Sequence, residues 1–343
     1  MIDAAPAVHV FRNGVTESLH YAAVAVVQSD GSLLYSLGDP DSVTFLRSSA
    51  KPFQALPIIE SGAFDHFGFG PRELAVMCAS HNGQPYHVEC VQGILDRIGK
   101  SIDDLRCGVH PPLYAPSAQA LAEAGQAPSA IHNNCSGKHA GMLALSVYLG
   151  ADDRDYLDPA HPVQQLNKQS LADLAGVDPE DIPIAVDGCG VPTFALPLRL
   201  AARAFARLMD PFDLEPQRVR AIERVVDAMR EYPELVAGDD RLDTWLMQAA
   251  PNLVTKGGAE AFQGIGLLRD GQEVLGVAIK IADGDAAGRA KNPVVMETLA
   301  QLEAVSPQVI EQGGRWHYGV VRNRHHAEVA DVRPVFTLQV ASA

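Results

Sequence analysis

Two apolar, strand-like runs, residues 262–268 and 273–281, flank Asp270-Gly271, and Thr255-Lys256-Gly257-Gly258 stands just before them. Asp-Gly between such runs is the residue pair of a tight hairpin, because the turn needs positive φ at its centre. The C-terminal part therefore predicts antiparallel strands, with a helix over 293–303 covering one face. A second strand pair is expected near the N-terminus, 9–28 against 33–35, closed by Ser29-Asp30-Gly31. Between these lie helical patterns: a short one from Pro71, 86–98 with a Gly99 stop, 138–149 ending at Gly150, 162–175 before Gly176, and 213–231 with a 3.6-residue apolar stripe. The Pro- and Ala-rich stretch 107–128 reads as a connection long enough for a lid or a crossover. Helices and hairpins mix without β-α alternation, so the expected class is α+β: an antiparallel sheet with covering helices plus a helical lobe. The whole chain, 1–343, is expected to be one unit of two packed lobes. One comes from the N- and C-terminal parts and the other, mainly helical, covers roughly 55–250.

Charge and composition remove several classes of function. With 42 acidic and 27 basic residues the formal charge is -15, which repels phosphate backbones and anionic lipid. A chain 47% hydrophobic and 20% charged has enough apolar surface to offset chain entropy. The N-terminal residues carry neither a basic n-region nor an apolar h-region, and no apolar run reaches spanning length, so neither export nor membrane insertion is expected. Five cysteines, Cys78, Cys90, Cys107, Cys135 and Cys189, are an odd number at irregular spacing, which suits a reducing, cytoplasmic compartment better than a disulfide framework.

Ser48-Ser49-Ala50-Lys51 places a hydroxyl and an amine one helical turn apart. A serine needs a base to attack at neutral pH, and an unprotonated lysine is one of the few side chains that can serve. Pro52 tolerates only a first-turn position, so the helix is expected to begin near Ser48, where its dipole favours developing negative charge. By itself S-x-x-K is a weak signal, far more often a surface helix turn than a catalytic pair. Its company is more telling: Ser80-His81-Asn82 follows, then Lys256-Gly257-Gly258 before the hairpin.

In that order the three segments resemble the motifs of the penicillin-recognising serine hydrolases. Gly257 stands where that superfamily carries a hydroxyl, and the first two motifs are closely spaced, which argues against β-lactam chemistry. The longer words are more specific. Arg47-Ser48-Ser49-Ala50-Lys51-Pro52-Phe53-Gln54, Ala79-Ser80-His81-Asn82-Gly83, His132-Asn133-Asn134-Cys135-Ser136-Gly137-Lys138-His139-Ala140-Gly141-Met142 and Asp187-Gly188-Cys189-Gly190-Val191-Pro192 resemble the rhizobial-type L-asparaginases over essentially the whole chain. That family is distinct from the asparaginases with threonine nucleophiles and is similar in fold to serine β-lactamases and serine-dependent glutaminases.

The resemblance implies Ser48 as nucleophile, Lys51 as proton acceptor, and Ser80 with Lys256 as a second Ser-Lys pair. Substrate contacts are expected at Arg47, His81 and Asn82, with His139 and Asp187, beside the Cys135 and Cys189 words, either contacting substrate or supporting the metal ligands, and the resemblance implies a homodimer. Backbone N–H groups, that of Ser48 and one from the strand after Lys256, are the natural oxyanion donors. A lysine base near neutral pH needs a depression of roughly 2 to 3 pKa units. A second ammonium about 4 Å away, worth on the order of 4 kcal/mol at an effective dielectric of about 20, is expected to supply it.

Cys135 and Cys189 are zinc-type donors. Chemistry alone favours His139 as the third ligand; the resemblance implies Lys138 instead, with the ion positioning substrate or supporting structure rather than generating the nucleophile. Buried free thiols, or a Cys135-Cys189 disulfide, are the competing readings. The expected reaction is hydrolysis of L-asparagine to L-aspartate and ammonia. The alternatives are the same chemistry on glutamine or a β-lactam, and a non-catalytic zinc- or amino-acid-binding protein.

Overall fold

The computed structural model describes residues 2–270 and 273–341. Among these the strands run β1 (Ala5–Arg12), β2 (Val15–Gln28), β3 (Leu33–Leu37), β4 (Val43–Phe45), β5 (Ile184–Val186), β6 (Pro192–Pro197), β7 (Leu253–Gly258), β8 (Phe262–Arg269), β9 (Glu273–Ile281), β10 (Gly319–Arg322), β11 (Glu328–Pro334) and β12 (Gln339–Val340). The chain divides into two compact units. The first takes the N-terminal part to Ser49, Ala195–Asp210 and the chain from Ala249 onward; the second takes Ala50–Phe194 and Pro211–Gln248.

The first unit is an antiparallel sheet in the order β10-β11-β1-β2-β9-β8-β7, with β3 beside β2 and β12 beside β3. Its fold class is the expected α+β. The segment 9–28, expected as one strand, is instead broken by Asn13-Gly14, at φ 47° and 80°, into a hairpin of β1 and β2. Asn-Gly is itself a strong hairpin signal, because both residues tolerate positive φ. The β8–β9 hairpin forms as expected and pairs down to Arg269 and Glu273. Asp270 lies at φ 51°, while Gly271 of the Asp-Gly turn falls outside the described residues.

Ala22 to Val27 of β2 are all fully buried, which requires cover on both faces of the sheet. The helix Leu198–Met209 packs on β2, β8 and β9, and the helix Lys291–Gln301 packs on β1, β8, β9 and β11. Three glycines admit the first of these helices. A Cβ at Gly264 would lie 1.9 Å from the Phe205 ring, one at Gly266 2.3 Å from Phe205 O, and one at Gly276 1.9 Å from Ala202 O. Gly266 and Gly276 are cross-strand partners, so together they form a trough for the helix backbone. Filling it forces the helix outward. Gly276→Val is therefore expected to destabilise the protein by at least about 3 kcal/mol in denaturant unfolding; an unfolding midpoint equal to that of the parent would contradict this packing.

The second unit is mainly helical. Helices Pro71–Met77, Pro85–Arg97, Pro162–Ala175 and Pro216–Glu231 each carry proline in the first turn, where the missing N–H costs nothing. Ser136–Leu149 and Pro162–Ala175 end on left-handed Gly150 and Gly176. The stretch 107–128, expected as a bare connection, contains the helix Ala115–Glu123, which buries none of its residues. β5 pairs with the first half of β6 in this unit, and β4 with the second half in the first unit. No helix among the described residues is long and apolar enough to cross a membrane.

Candidate active site

In the first unit the segment carrying Ser48 lies against the strand carrying Lys256. Ser49 Oγ donates to Lys256 O at 2.6 Å. A Cβ at Gly258 would come within 2.5 Å of Leu46 O and 3.0 Å of Ser49 Oγ, so the second glycine of Lys-Gly-Gly is needed for this approach. Arg47 sits at φ 50°, a left-handed conformation that costs a non-glycine residue about 1 kcal/mol and turns the chain sharply into Ser48. Ser48 is part-buried, opening a 3-10 turn over Arg47–Ala50 that continues directly into the helix Lys51–Gln54. Lys256 is 1% exposed on β7 rather than in a turn, and its Nζ donates to Gly257 O at 2.7 Å.

In the second unit Lys51 is fully buried, and its Nζ lies within hydrogen-bonding distance of Ala79 O (2.5 Å), Ser80 Oγ (2.9 Å), Cys135 Sγ (3.3 Å) and Asn134 O (3.5 Å). Two glycines one helical turn apart bring these groups together. A Cβ at Gly137 would fall 2.1 Å from Val76 O and one at Gly141 3.0 Å from Met77 Cγ, so the helix Ser136–Leu149 can lie close on Pro71–Met77, the helix that leads into Ser80. Burial holds the Lys51 ammonium below its ordinary pKa; the Cys135 thiol opposes this and the charge of Lys138 adds to it. Desolvation, rather than the expected second ammonium, is thus the larger cause of the depression.

Cys135, Lys138 and Cys189 converge. Lys138 Nζ lies 3.1 Å from Cys189 Sγ, and the Cys135 thiol hydrogen-bonds to Cys189. That bond brings Cys189 down to about 5 and pushes Cys135 up to about 12. Burial lowers the Lys138 pKa, but the two sulfurs outweigh it and hold the amine above its usual value. All five cysteines are free, so the disulfide reading is not realised. No group of three His, Cys, Asp or Glu side chains that could hold a metal occurs among the described residues; at this spot the third nitrogen or sulfur donor beside Cys135 and Cys189 is Lys138. Donors of a tetrahedral zinc site stand about 3.5 Å from one another. The Lys138–Cys189 contact of 3.1 Å is a little shorter than this, so such an ion would require the pair to open by a few tenths of an ångström as Lys138 and Cys135 lose their protons.

Neither ring nitrogen of His81 is free: Nδ1 accepts from Gly83 N–H at 3.1 Å, Nε2 meets Ser136 Oγ at 2.9 Å, and the ring stacks on His87. Asn82 is equally occupied, accepting from Arg241 Nη1 and donating to Asp239 O, both at 2.9 Å. His81 and Asn82 are thus each anchored by bonds within the protein, and Asn82 keeps one Nδ2 proton and one Oδ1 lone pair beyond them. His139 is fully buried, and burial takes its pKa down to about 3; Nδ1 bonds Tyr156 OH at 2.7 Å, while Nε2 has no partner. Asp187 is part-buried in a turn closed by Asp187 N–H to Val191 O at 2.9 Å, with Oδ2 3.9 Å from Cys189 Sγ. Sequence reasoning missed Arg241 altogether, since it stands 159 residues from its partner Asn82 in no motif the reading used.

The sequence model of the L-asparaginase II family matches residues 8–334. None of the curated protein sequences matches the chain significantly. Among solved structures, the chain is similar to the crystal structure of Mglu, with 14% identity and a TM-score of 0.36 over 82% of this chain. It spans 66% of the Mglu chain's length. It is also similar to a Bacillus glutaminase in 4.3 M NaCl, with 14% identity and a TM-score of 0.39, over 82% of this chain and 91% of that one.

Proposed function

The chain belongs to the L-asparaginase II family, and on that premise we propose that it hydrolyses the side-chain amide of L-asparagine to L-aspartate and ammonia through an acyl-enzyme on Ser48. The observation that carries this reading is Lys51: a fully buried amine bonded to Ser80 Oγ, in the helical run that opens at Arg47 and Ser48. Burial favours its neutral form, the one able to take a proton. Ser48 Oγ attacks the amide carbon as its proton passes to Lys51. The proton then reaches the amide nitrogen, with Ser80 as the relay, and ammonia leaves. Water reverses the sequence to free L-aspartate and Ser48. Lys256, with Ser80 as the second pair, stabilises the charge that develops, and the His139 Nε2–H is a donor for the substrate.

Zinc on Cys135, Lys138 and Cys189 belongs to the same proposal; when bound, it supplies a fixed positive charge that orients the substrate. Stripping the ion with a chelator is expected to raise KM and lower Tm while leaving kcat within about tenfold. A collapse of kcat at unchanged KM contradicts the orienting role. Free thiols throughout support a reducing, cytoplasmic setting, and a homodimer completes the reading.

The test is ammonia release from L-asparagine and L-glutamine side by side. One methylene is worth about 1–3 kcal/mol, so kcat/KM for asparagine should exceed that for glutamine by at least about tenfold. The inverse ratio makes the protein a glutaminase. Ammonia from neither makes it a binding protein.

A further inference from the structure

Residues 237–241 join the helices Pro233–Val236 and Leu242–Ala249, and the turn is strained and tightly held. Gly238 lies at φ 112° and Asp240 at 58°. A Cβ at Gly238 would come within 2.6 Å of the Asn82 side chain, so only glycine allows the turn to approach the Ser80-His81-Asn82 segment. Asn82 Nδ2 donates to Asp239 O at 2.9 Å. Gln84 donates to the Asp239 carboxylate at 2.8 Å and accepts from the Asp239 N–H at 2.9 Å. Tyr86 OH adds 3.1 Å to the same carboxylate, and Thr244 Oγ1 donates to Gly238 O at 2.7 Å.

What this framework presents is a guanidinium. Arg241 is part-buried, its Nη1 donates to Asn82 Oδ1 at 2.9 Å, and among the described residues no carboxylate lies within salt-bridge reach of it. Arg72, Arg106, Arg220, Arg289 and Arg324 are likewise without a carboxylate among the described residues, but all five are exposed, whereas Arg241 is part-buried and held by Asn82. A guanidinium is matched in shape and charge to a carboxylate. Asn82 is two residues from Ser80, at most about 7 Å along the chain, and Ser80 Oγ bonds the buried Lys51. Arg241, through Asn82, is thus tied to the same short segment that carries Ser80.

We propose that Arg241 anchors the α-carboxylate of the amino-acid amide substrate and that Asn82, clamped on Gly238 and Asp239, positions it. This rests on the amidohydrolase reading above and adds the specificity determinant to it. Arg241→Gln is expected to raise KM for L-asparagine about a hundredfold with kcat changed far less. Arg241→Lys, which keeps the charge without the fork, should fall between. With 3-aminopropanamide, asparagine without its α-carboxylate, the parent enzyme should show a similarly raised KM, and the further loss in Arg241→Gln should shrink to about threefold. Equal losses of Arg241→Gln on both substrates, or an unchanged KM for asparagine, would overturn the anchor while leaving the amidohydrolase reading intact. Calorimetric titration with L-aspartate separates the two ideas in the other direction. Binding by the parent that is lost in Arg241→Gln supports the anchor even if neither amide is hydrolysed, whereas no binding by the parent overturns it.

Discussion

Ser48→Ala is expected to abolish ammonia release, with kcat lowered by at least about ten-thousand-fold and an unchanged unfolding temperature. The Ser48 side chain is part-buried, and the segment around it is held by other groups: Ser49 Oγ on Lys256 O, and Leu46 O packed against Gly258. Removing one hydroxyl from such a site costs little stability, so the loss would be chemical. The left-handed Arg47 fits this view, because backbone strain at a nucleophile's threshold survives only where the surroundings over-determine it. A steady-state assay with a coupled ammonia readout decides the point. Parental turnover in Ser48→Ala would remove the nucleophile from the account.

Lys51→Met is the second large effect, expected to cost at least about a thousandfold in kcat/KM without rescue by Lys51→Arg, since a guanidinium cannot give up its proton. Methionine approximates the lysine stem in length and fills the same buried space, so the variant should remain folded. The sign of the pH dependence follows from the same group. A base works when deprotonated, so kcat/KM should rise with pH. Burial moves the Lys51 pKa down, which places that rise below the ordinary lysine range. A profile that is flat or falls toward alkaline pH would contradict lysine as the base.

Local chemistry made much of the molecule legible. Asp-Gly before an apolar run announced the β8–β9 hairpin, and left-handed Gly150 and Gly176 marked helix ends, because each depends on residues adjacent in the chain. Asn13-Gly14 carries the same kind of signal, but it sits within a run of alternating polar and apolar residues that by itself suits one continuous strand. The role of glycine in packing was not legible. Gly264, Gly266 and Gly276 look like weak strand residues until the helix Leu198–Met209 is laid on them. Gly137 and Gly141 likewise gain meaning only against Val76 and Met77. Around the site the motifs named Lys51, Ser80, Cys135, Lys138 and Cys189, which lie together in one unit. What the motifs could not carry was the direction of each side chain: His81 turns to Ser136 and Asn82 to Arg241 and Asp239. The cause of the Lys51 shift was hidden for the same reason, since desolvation depends on everything packed around the amine.

The central claim is that amide cleavage passes through an ester on Ser48. Rapid acid quenching of enzyme mixed with L-asparagine, followed by digestion and mass spectrometry, reads it directly. The account predicts a β-aspartyl adduct on the peptide containing Ser48, absent from Ser48→Ala and discharged when quenching is delayed until substrate is exhausted. An adduct on Ser80 instead, or robust turnover with no adduct on any serine at the shortest times, would contradict it.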